Sequence, residues 1–435
     1  MIVEDLHQAA VASVLPDVLI RKHLRQVHGD LYFGDRVFSL EGKNIYVIGA
    51  GKAAYGMALT VEAVLGPLIH DGLITTKYGH GGSLQTIRVL EAGHPLPDAA
   101  GQNAVHQTLD LLKKVKSNDI VISLISGGAS AIWCDPAPTI SLEDFRKTSE
   151  LLINCGATIH EINAVRKHIS SLKGGQLARL VNHASLLTLM ISDVPGDDPD
   201  VIASGPTVPD LSTFDMALET INKYDLTQDM PGVVMQRLQD GQLGLIPETP
   251  KPGDKAFDHV QHIIIGSNKM ALEEAASFLS KRGLEVFKKE EIIKGDCEKE
   301  AIDLVQRALE ISGNKKQAIC LLQGGETTVV HDGSGYGGRN QHFVLSALYH
   351  LLQNKKPEDK HIYHIFSFGT DGSDGPTEAN GAFASTAQNH EMDQILHYLK
   401  DFNSYHYFHT FGGLLISGPT QTNVMDIMGI IILPQ

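Results

Sequence analysis

Short apolar runs alternate along the chain with longer segments of helical spacing. The runs are bounded by glycine or polar residues and comprise residues 44–48, 119–125, 185–191, 262–265, 318–322 and 361–368. This alternation is typical of βα units whose strands are largely parallel. In such sheets ligands bind beyond the carboxyl ends of the strands, where the chain turns into helices. We therefore expect functional residues to follow directly after the apolar runs.

The length and one proline-rich segment predict two domains. The chain has 435 residues, of which 42% are hydrophobic, and this content suffices for two compact cores. Residues 241–255 contain several prolines and glycines with little apolar periodicity, which is typical of a linker. We predict domains at residues 1–250 and 251–435.

Charge and cysteine content limit the partners and the compartment. The chain carries 51 acidic and 36 basic side chains, a formal net charge of -15, which disfavours nucleic acid. A local cluster of cations can still bind a small anion, since charges act over roughly 10 Å. No run approaches the ~20 apolar residues of a membrane span, and the start lacks a basic signal-peptide region. The four cysteines form no C-x-x-C pair. We expect a cytoplasmic protein with free thiols and no membrane partner.

The first glycine-rich turn is GAGKAA, which follows the first apolar run. Gly49 and Gly51 fit the pattern G-x-G-x-x-A, in which bare backbone amides and a helix N-terminus hold a pyrophosphate. Lys52 places a cation beside these amides and favours an anionic ligand. No acid follows about 20 positions later to hold an NAD ribose, although Lys77 would suit the 2′-phosphate of NADP.

The second turn, SGGASA, follows the run 119–125. Adjacent glycines let a ligand approach the backbone closely, and the flanking hydroxyls add donors, as a phosphate or oxyanion cradle requires. A serine nucleophile is the alternative, but the G-x-S-x-G elbow is absent. The candidate binding residues of this turn are Ser126, Gly127, Gly128, Ala129 and Ser130.

Two further candidates lie between the second turn and the linker. Arg166 lies three residues after Asn163 in a helix-like segment, where its planar guanidinium could face a carboxylate. The alternative is a solvated helix face. Asp193 follows the run 185–191 and is a natural Mg²⁺ ligand, since this ion takes one or two carboxylates plus phosphate oxygens. Asp193 could instead cap its turn.

The second half of the chain offers a cation at a helix start. The segment GGRNQ places Arg339 at the beginning of an apolar helix, an arrangement that is costly unless an anion is present. Asp371 lies in a glycine-rich turn after the run 361–368 and either binds metal or holds the turn. The other candidate binding residues of this half are Gly325, Glu326, Gly338 and Asn340.

These segments resemble the glycerate kinase family with a MOFRL C-terminal domain, whose older name is hydroxypyruvate reductase. The resemblance runs from about residue 44 to about residue 426, so it covers nearly the whole chain. Its most specific pieces, in order, are GAGKAA, EAGHPLPDAAG, ISGGASA, INAVRKHISSLKGGQLA, SDVPGDDPDVIASGPTVPD, GGETTV, GGRNQ and GTDGSDGPT. Near the end, Gln421 replaces a glycine of the family pattern G-P-T-G-T-N-V-x-D.

The resemblance implies an α/β protein with an N-terminal Rossmann-like three-layer αβα domain and a smaller C-terminal α/β domain. It implies a cleft between them that binds ATP, Mg²⁺ and D-glycerate, with phosphorylation of the 2-hydroxyl. On the family pattern Lys52 and Arg339 are the catalytic positions. Our own hypothesis adds Asp193 as base or Mg²⁺ ligand, with Asp371 as a second candidate metal ligand.

Two other functions remain open on the sequence. The first is an NAD(P)-dependent hydroxypyruvate reductase, which the G-x-G-x-x-A spacing favours. The second is a non-catalytic sugar-acid or nucleotide-binding protein with the same fold. The sequence also leaves open whether the chain forms a homodimer.

Overall fold

The computed structural model describes residues 2–313, 316–330 and 335–434. The chain divides into two compact units: Pro16–Ile265 forms the first, and Met1–Leu15 with Gly266–Gln435 forms the second. The predicted domains, 1–250 and 251–435, differ from these units at both ends of the first unit.

Helix α1 (Ile2–Ser13) explains the difference at the start of the first unit, because it packs within the second unit. His7 contacts Asn380, with 2.7 Å between Nε2 and Nδ2. Thr422 donates a hydrogen bond from Oγ1 to the carbonyl oxygen of Val14, at 2.7 Å. These contacts join residues that are far apart in sequence, so the composition of the linker gives no sign of them.

The first unit contains two sheets. The small antiparallel sheet has the order β1-β2-β3. The large sheet has the order β6-β5-β4-β7-β8-β9. The strands are β1 (Leu24–Val27), β2 (Asp30–Phe33), β3 (Arg36–Ser39), β4 (Ile45–Ala50), β5 (Ile69–Lys77), β6 (Ile87–Ala92), β7 (Ile120–Ser126), β8 (Ser185–Ile191) and β9 (Val260–Gly266).

The order of the large sheet positions a ligand site. From β6 to β8 all neighbouring strands are parallel, and the order is that of a Rossmann sheet, in which the chain starts in the middle and reverses direction beside the first strand. The reversal lies between β4 and β7, whose ends meet because Ala50 pairs with Ile125. The turns after these two strands therefore line the crevice where such sheets bind ligands. This confirms the predicted Rossmann-like α/β fold.

The helices of the first unit are α2 (Pro16–His23), α3 (Ala54–Leu65), α4 (Ala99–Leu112), α5 (Ala129–Ile132), α6 (Leu142–Asn154), α7 (Ile159–His168), α8 (Gln176–Val181), α9 (Phe214–Lys223) and α10 (Gly232–Gln242). One core forms where helices cover the large sheet, with Ile48, Val121 and Met190 at its centre. A second apolar cluster, which includes Phe145 and Phe214, joins α6, α7, α9 and α10. This second cluster holds α7 in place beside the sheet.

The second unit is an α/β structure around one mixed sheet. Its order is β10-β12-β16-β13-β14-β15, with β11 also paired to β12. Its elements, besides α1, are α11 (Asn268–Ser280), β10 (Glu285–Lys288), β11 (Ile293–Asp296), α12 (Cys297–Ser312), β12 (Ile319–Thr328), α13 (Arg339–Asn354), β13 (Ile362–Gly369), β14 (Gly381–Ser385), α14 (Met392–Lys400), α15 (Ser404–Phe411), β15 (Leu414–Leu415) and β16 (Asp426–Leu433).

The prediction of largely parallel strands is wrong for this second sheet. Strand β16 runs antiparallel to both β12 and β13, and β14 is antiparallel to β13. The connection from β13 to β14 contains no helix, and a parallel return needs a long crossover, usually a helix. Apolar runs predict that a strand exists but do not give its direction.

The structure also shows the state of the cysteines and the length of the apolar helices. Within the described residues no cysteine forms a disulfide, and Cys134, Cys297 and Cys320 are buried. None of the described helices is both long and apolar enough to cross a membrane.

Candidate active site

The turns after β4 and β7 are joined directly. The backbone N–H of Lys52 donates to the carbonyl oxygen of Gly127 at 2.9 Å, and the N–H of Ala53 donates to Ser126 Oγ at 3.0 Å. A Cβ at Gly51 would overlap Ser126, and the φ of +130° at Gly51 favours glycine. The two turns thus pack as one unit at the reversal point of the sheet.

The first turn does not present bare amides, because its donors are already used. The N–H groups of Gly51 and Ala54 donate to the carbonyl oxygens of Thr75 and Gly51, at 3.2 and 3.1 Å. Gly49 lies so close to β7 that an added Cβ would be 2.5 Å from the carbonyl oxygen of Leu124. Gly49 and Gly51 therefore allow β4 to pack closely against β7. The prediction that this G-x-G-x-x-A turn holds a pyrophosphate rested on free backbone N–H groups, which the turn does not have.

The second turn has the open donors that the first lacks. Within the described chain, the N–H groups of Gly128, Ala129 and Ser130 have no backbone acceptor, because they begin the short helix α5. Gly128 adopts the left-handed conformation, with φ of +83°. The segment predicted as a phosphate or oxyanion cradle thus presents adjacent donors at the end of β7.

Three ionisable side chains lie close to the glycine pair of the second turn. A Cβ at Gly127 would overlap the Asp193 carboxylate. A Cβ at Gly128 would lie 3.4 Å from Cγ of Lys52 and 3.1 Å from Nε2 of His94. Because Gly127 and Gly128 have no side chains, the Asp193 carboxylate, the His94 imidazole and the aliphatic part of Lys52 can all lie against this stretch of backbone. The structure brings the predicted Lys52 and Asp193 to the same place.

His94 was not predicted as a site residue. It lies in the EAGHPLPDAAG segment after β6, and the peptide bond that it forms with Pro95 is cis. Its sequence neighbours carry no metal or nucleophile motif. Only the packing of its ring at Gly128 reveals it.

Helix α7 carries the predicted Arg166 beside a buried polar group. The helix begins at a capping box made by Thr158 and Glu161. Within it, Asn163 is 3% exposed, and its Oδ1 accepts from Ser204 Oγ at 2.9 Å. Ser204 Oγ also lies 3.0 Å from Oγ of Ser130 in the second turn. A hydrogen-bond chain therefore links the cradle to α7.

A buried ion-pair network fixes the loop that follows β8. The Nζ atom of Lys167 lies 2.5 Å from Asp200 Oδ1 and 3.1 Å from Asp210 Oδ1. Burial alone would raise the pKa of Asp210, but the Lys167 ammonium and the hydrogen bonds from Ser212 together outweigh it and lower that pKa. The N–H of Asp200 donates to Asp198 Oδ1 at 2.9 Å. The acids that follow Asp193 hold the loop.

In the second unit Arg339 is clamped by carboxylates. Its Nε and Nη2 donate to the two carboxylate oxygens of Asp426 at 2.6 and 2.9 Å, and Nη1 lies 3.0 Å from Glu326 Oε1. Burial alone would lower the pKa of Arg339, but Asp426 outweighs it and the pKa is raised. The Asp426 side chain is 1% exposed and that of Arg339 is 29% exposed. Sequence reasoning missed Asp426 as the partner, although the resemblance to the family pattern ends on it.

Asp374 caps the helix that Arg339 begins. Its carboxylate accepts from the backbone N–H groups of Asn340 and Gln341 at 3.0 and 2.9 Å. Burial raises the pKa of Asp374 to about 6. The side chain of Asn340 is held by Ser367, whose Oγ donates to Oδ1 at 2.5 Å. The predicted binding residue Asn340 is thus used within the protein.

The predicted residues Gly325, Gly338 and Asp371 also have internal roles. A Cβ at Gly325 would overlap the backbone of β11, and one at Gly338 would overlap Asp374. Asp371 Oδ1 accepts from both the N–H and Oγ of Ser373 at 3.0 Å. A Cβ at Gly369 would lie 3.4 Å from Asp371 Oδ1 and 3.3 Å from Asp426 Oδ1, so Asp371 is close to the partner of Arg339.

A cavity of about 390 Å³ opens beside Arg339 in the second unit. Its volume is in the range of small-molecule sites. Its lining includes Glu326, Thr328, Gly338, Arg339, His342 and Phe402. Within the described residues no group of three or more His, Cys, Asp or Glu side chains could hold a metal ion.

Comparison with known proteins gives a consistent result over the whole chain. Residues 2–239 match the family model described as a domain of unknown function, DUF4147, and residues 319–426 match the MOFRL family. The chain is 39% identical to glycerate 2-kinase of Pyrococcus horikoshii, over 90% of this chain and 88% of the relative. It is 36% identical to D-glycerate 2-kinase of Thermotoga maritima, over 95% and 97%. The crystal structure of a Thermotoga maritima glycerate kinase covers 99% of each chain, with a TM-score of 0.81 at 31% identity.

Proposed function

The chain belongs to the glycerate kinase family, and we propose that it transfers the terminal phosphoryl group of ATP to the 2-hydroxyl of D-glycerate, giving 2-phosphoglycerate and ADP. One observation carries this proposal. Lys52 and Asp193 pack around the glycine pair of the second turn, at the reversal point of a Rossmann sheet, in a chain whose nearly full-length relatives are named glycerate 2-kinases.

Phosphoryl transfer needs positioned positive charge more than a strong base, because charge spreads over the equatorial oxygens in the transition state. Lys52 of the first unit and Arg339 of the second are the proposed catalytic cations. The N–H groups of Gly128, Ala129 and Ser130 hold phosphate or substrate oxygens in this proposal. Asp426 keeps the Arg339 guanidinium oriented, since the two side chains form a bidentate pair.

Asp193 is the proposed acceptor of the substrate hydroxyl proton or a Mg²⁺ ligand. Mg²⁺ is commonly bound through one or two carboxylates together with substrate phosphates and water. Asp193 beside the cradle fits that mode, as does Asp371 beside Asp426. When bound, Mg²⁺ neutralises charge on the phosphate oxygens.

The test is a coupled assay of ADP release from D-glycerate and ATP, with and without Mg²⁺, followed by ³¹P NMR of the product. We expect ADP formation that depends on both D-glycerate and Mg²⁺, and the phosphorus signal of 2-phosphoglycerate. Hydroxypyruvate with NADH or NADPH is the matched control. Steady oxidation of either nicotinamide, without kinase activity, would establish the reductase instead. Failure to consume ATP with any short hydroxy acid would favour a binding protein.

The assigned cations are tested by Lys52→Met and Arg339→Met. Each should lower kcat by on the order of 10²-fold, as loss of a transition-state charge contact does. The control is Lys113→Met, since Lys113 is exposed at the end of helix α4 and pairs with the exposed Asp110. A normal kcat in either variant, with only KM raised, would refute the catalytic role of that residue.

A further inference from the structure

The side chain of Asn163 has a buried donor with no acceptor. Asn163 is 3% exposed, and its Nδ2 has no hydrogen-bond partner among the residues that the structure describes. In this orientation of the amide, Oδ1 accepts from Ser204 Oγ, and Nδ2 is the donor that remains. A buried amide N–H without an acceptor is costly, and a ligand oxygen that reached Nδ2 would supply the missing acceptor.

The hydrogen bonds of Ser130 and Ser204 follow from this orientation of the Asn163 amide. Ser204 has a single O–H, which it donates to Asn163 Oδ1. The bond between Ser130 and Ser204 is therefore donated by Ser130. In this series of hydrogen bonds Ser130 donates to Ser204 and Ser204 donates to Asn163 Oδ1. The Nδ2 group of Asn163 is the donor left over at its end. The series starts in the second turn, two residues after Gly128.

The backbone at Ser204 is held in an unfavourable conformation. Ala203 and Ser204 have φ of +54° and +59°, and Gly205 follows with φ of +61°. Left-handed conformations are unfavourable for alanine and serine, and such residues cluster at ligand sites, where the surroundings impose them. This conformation lets Ser204 reach Asn163 and Ser130 together.

Arg166 adds an unneutralised charge on the same side of α7. It follows Asn163 by three residues, a spacing that makes two helix residues neighbours. Within the described residues its guanidinium has no hydrogen bond or ion pair, and burial lowers its pKa. The adjacent Lys167 differs, because its charge is neutralised by Asp200 and Asp210. A partly buried guanidinium without a partner is unfavourable unless an anion is bound.

We propose that Asn163 and Arg166 bind the carboxylate of the acceptor substrate, and that Ser130 and Ser204 orient Asn163 for this contact. A planar carboxylate can accept from the Asn163 amide and from the guanidinium fork together. The inference rests on the proposed kinase function and adds to it the residues that recognise the carboxylate of the acceptor. The acceptor is a short 2-hydroxy carboxylate, and an uncharged polyol such as glycerol leaves both donors unmatched.

The first test is Asn163→Asp, which keeps the acceptor for Ser204 and replaces only the donor by an anionic oxygen. We expect KM for D-glycerate to rise by roughly 10-fold to 100-fold, the effect of losing a hydrogen bond to a charged group, with KM for ATP unchanged. Asn163→Gln and Ser204→Ala should give smaller increases in the same constant. The melting temperature of each variant shows whether it is folded.

Arg166→Met is the second test, with Arg237→Met as its matched control. Arg237 is another partly buried arginine, but it already donates to the carbonyl oxygen of His168 at 2.8 Å. Arg166→Met should raise KM for D-glycerate and reduce the preference for D-glycerate over glycerol by roughly 10-fold to 100-fold. Arg237→Met should lower the melting temperature without changing either quantity.

The outcomes separate this inference from the function on which it rests. Wild-type protein that does not phosphorylate D-glycerate would refute the proposed function and, with it, the subsite. An active wild-type enzyme would refute the subsite alone if folded Asn163→Asp and Arg166→Met kept the wild-type KM for D-glycerate. Raised KM for ATP in these variants, with that for D-glycerate unchanged, would assign the subsite to the nucleotide and also overturn the proposal.

Discussion

Replacing Lys167 should destabilise the first unit without removing any group of the proposed substrate site. Its ammonium is 2% exposed and is shared between Asp200 and Asp210. The change Lys167→Met keeps a long unbranched side chain and removes only the charge. It leaves the Asp210 carboxylate, which is 0% exposed, without its cation.

The magnitude follows from what remains around the two carboxylates. Removing one partner of a buried ion pair costs about 3–5 kcal/mol. Asp210 still accepts from Ser212 N–H, Ser212 Oγ and Thr249 Oγ1 at 2.9, 2.7 and 2.8 Å, and Asp200 is 26% exposed, so it can be rehydrated. We therefore expect the lower end, about 3 kcal/mol, which corresponds to a melting temperature lower by about 6–12 °C.

Calorimetry and urea unfolding at pH 7 measure this loss. The double variant Lys167→Met/Asp210→Asn should be more stable than the single variant, because it removes the unpaired charge. Lowering the pH towards 5 should also reduce the difference from wild type. The wild-type carboxyl has a lowered pKa and stays ionised there, whereas an unpaired buried carboxyl can take up a proton. A loss below about 1 kcal/mol, the value of an exposed pair, would refute the reasoning.

Three further predictions concern single positions. Gln421 has φ of +62°, a left-handed conformation that is unfavourable for glutamine but not for glycine. Gln421→Gly should therefore raise the unfolding free energy, measured by urea unfolding, by about 0.5–1 kcal/mol, which is the strain relieved minus the larger entropy cost of ordering glycine. An unchanged or lower unfolding free energy would show that residue 421 is not strained. Gly127→Ala should lower kcat by on the order of 10²-fold by displacing Asp193, whereas Gly232→Ala, where an added Cβ meets nothing within 4 Å, should not. The raised pKa of Asp374, about 6 against the usual 3.8, means that the folded protein holds more protons between these values, so the unfolding free energy should fall as the pH rises from about 4 to 6. Asp374→Asn should remove that slope in urea unfolding, and a slope retained in this variant would assign it to another group.

The first sheet could be predicted because its strands are buried on both faces. All residues of β4 and β7 are buried, and such strands appear in sequence as continuous apolar runs. The rule that ligands gather at the carboxyl ends of these strands then placed Lys52 and Asp193 together, as the structure does.

The rest of the site depends on contacts that leave no local pattern. Arg339 and Asp426 are 87 positions apart, and β16 gives no sign in sequence that it inserts between β12 and β13. The unmatched donor of Asn163 exists only because Ser204 occupies its oxygen. Similarly, the spacing of Gly49 and Gly51 suggested ligand binding, but a glycine needed for close strand packing gives the same spacing.

The position of α1 has a consequence for how the protein is made. Helix α1 precedes the first unit along the chain, yet the residues that cover its apolar side lie after Gly266. While the first unit is being synthesised, Val3, Leu6 and Ala10 of α1 therefore lack the surface against which they pack. In the folded protein these three residues are 0% exposed. During synthesis this apolar helix is therefore open to non-native contacts until residues of the second unit that follow Gly266 have also been made.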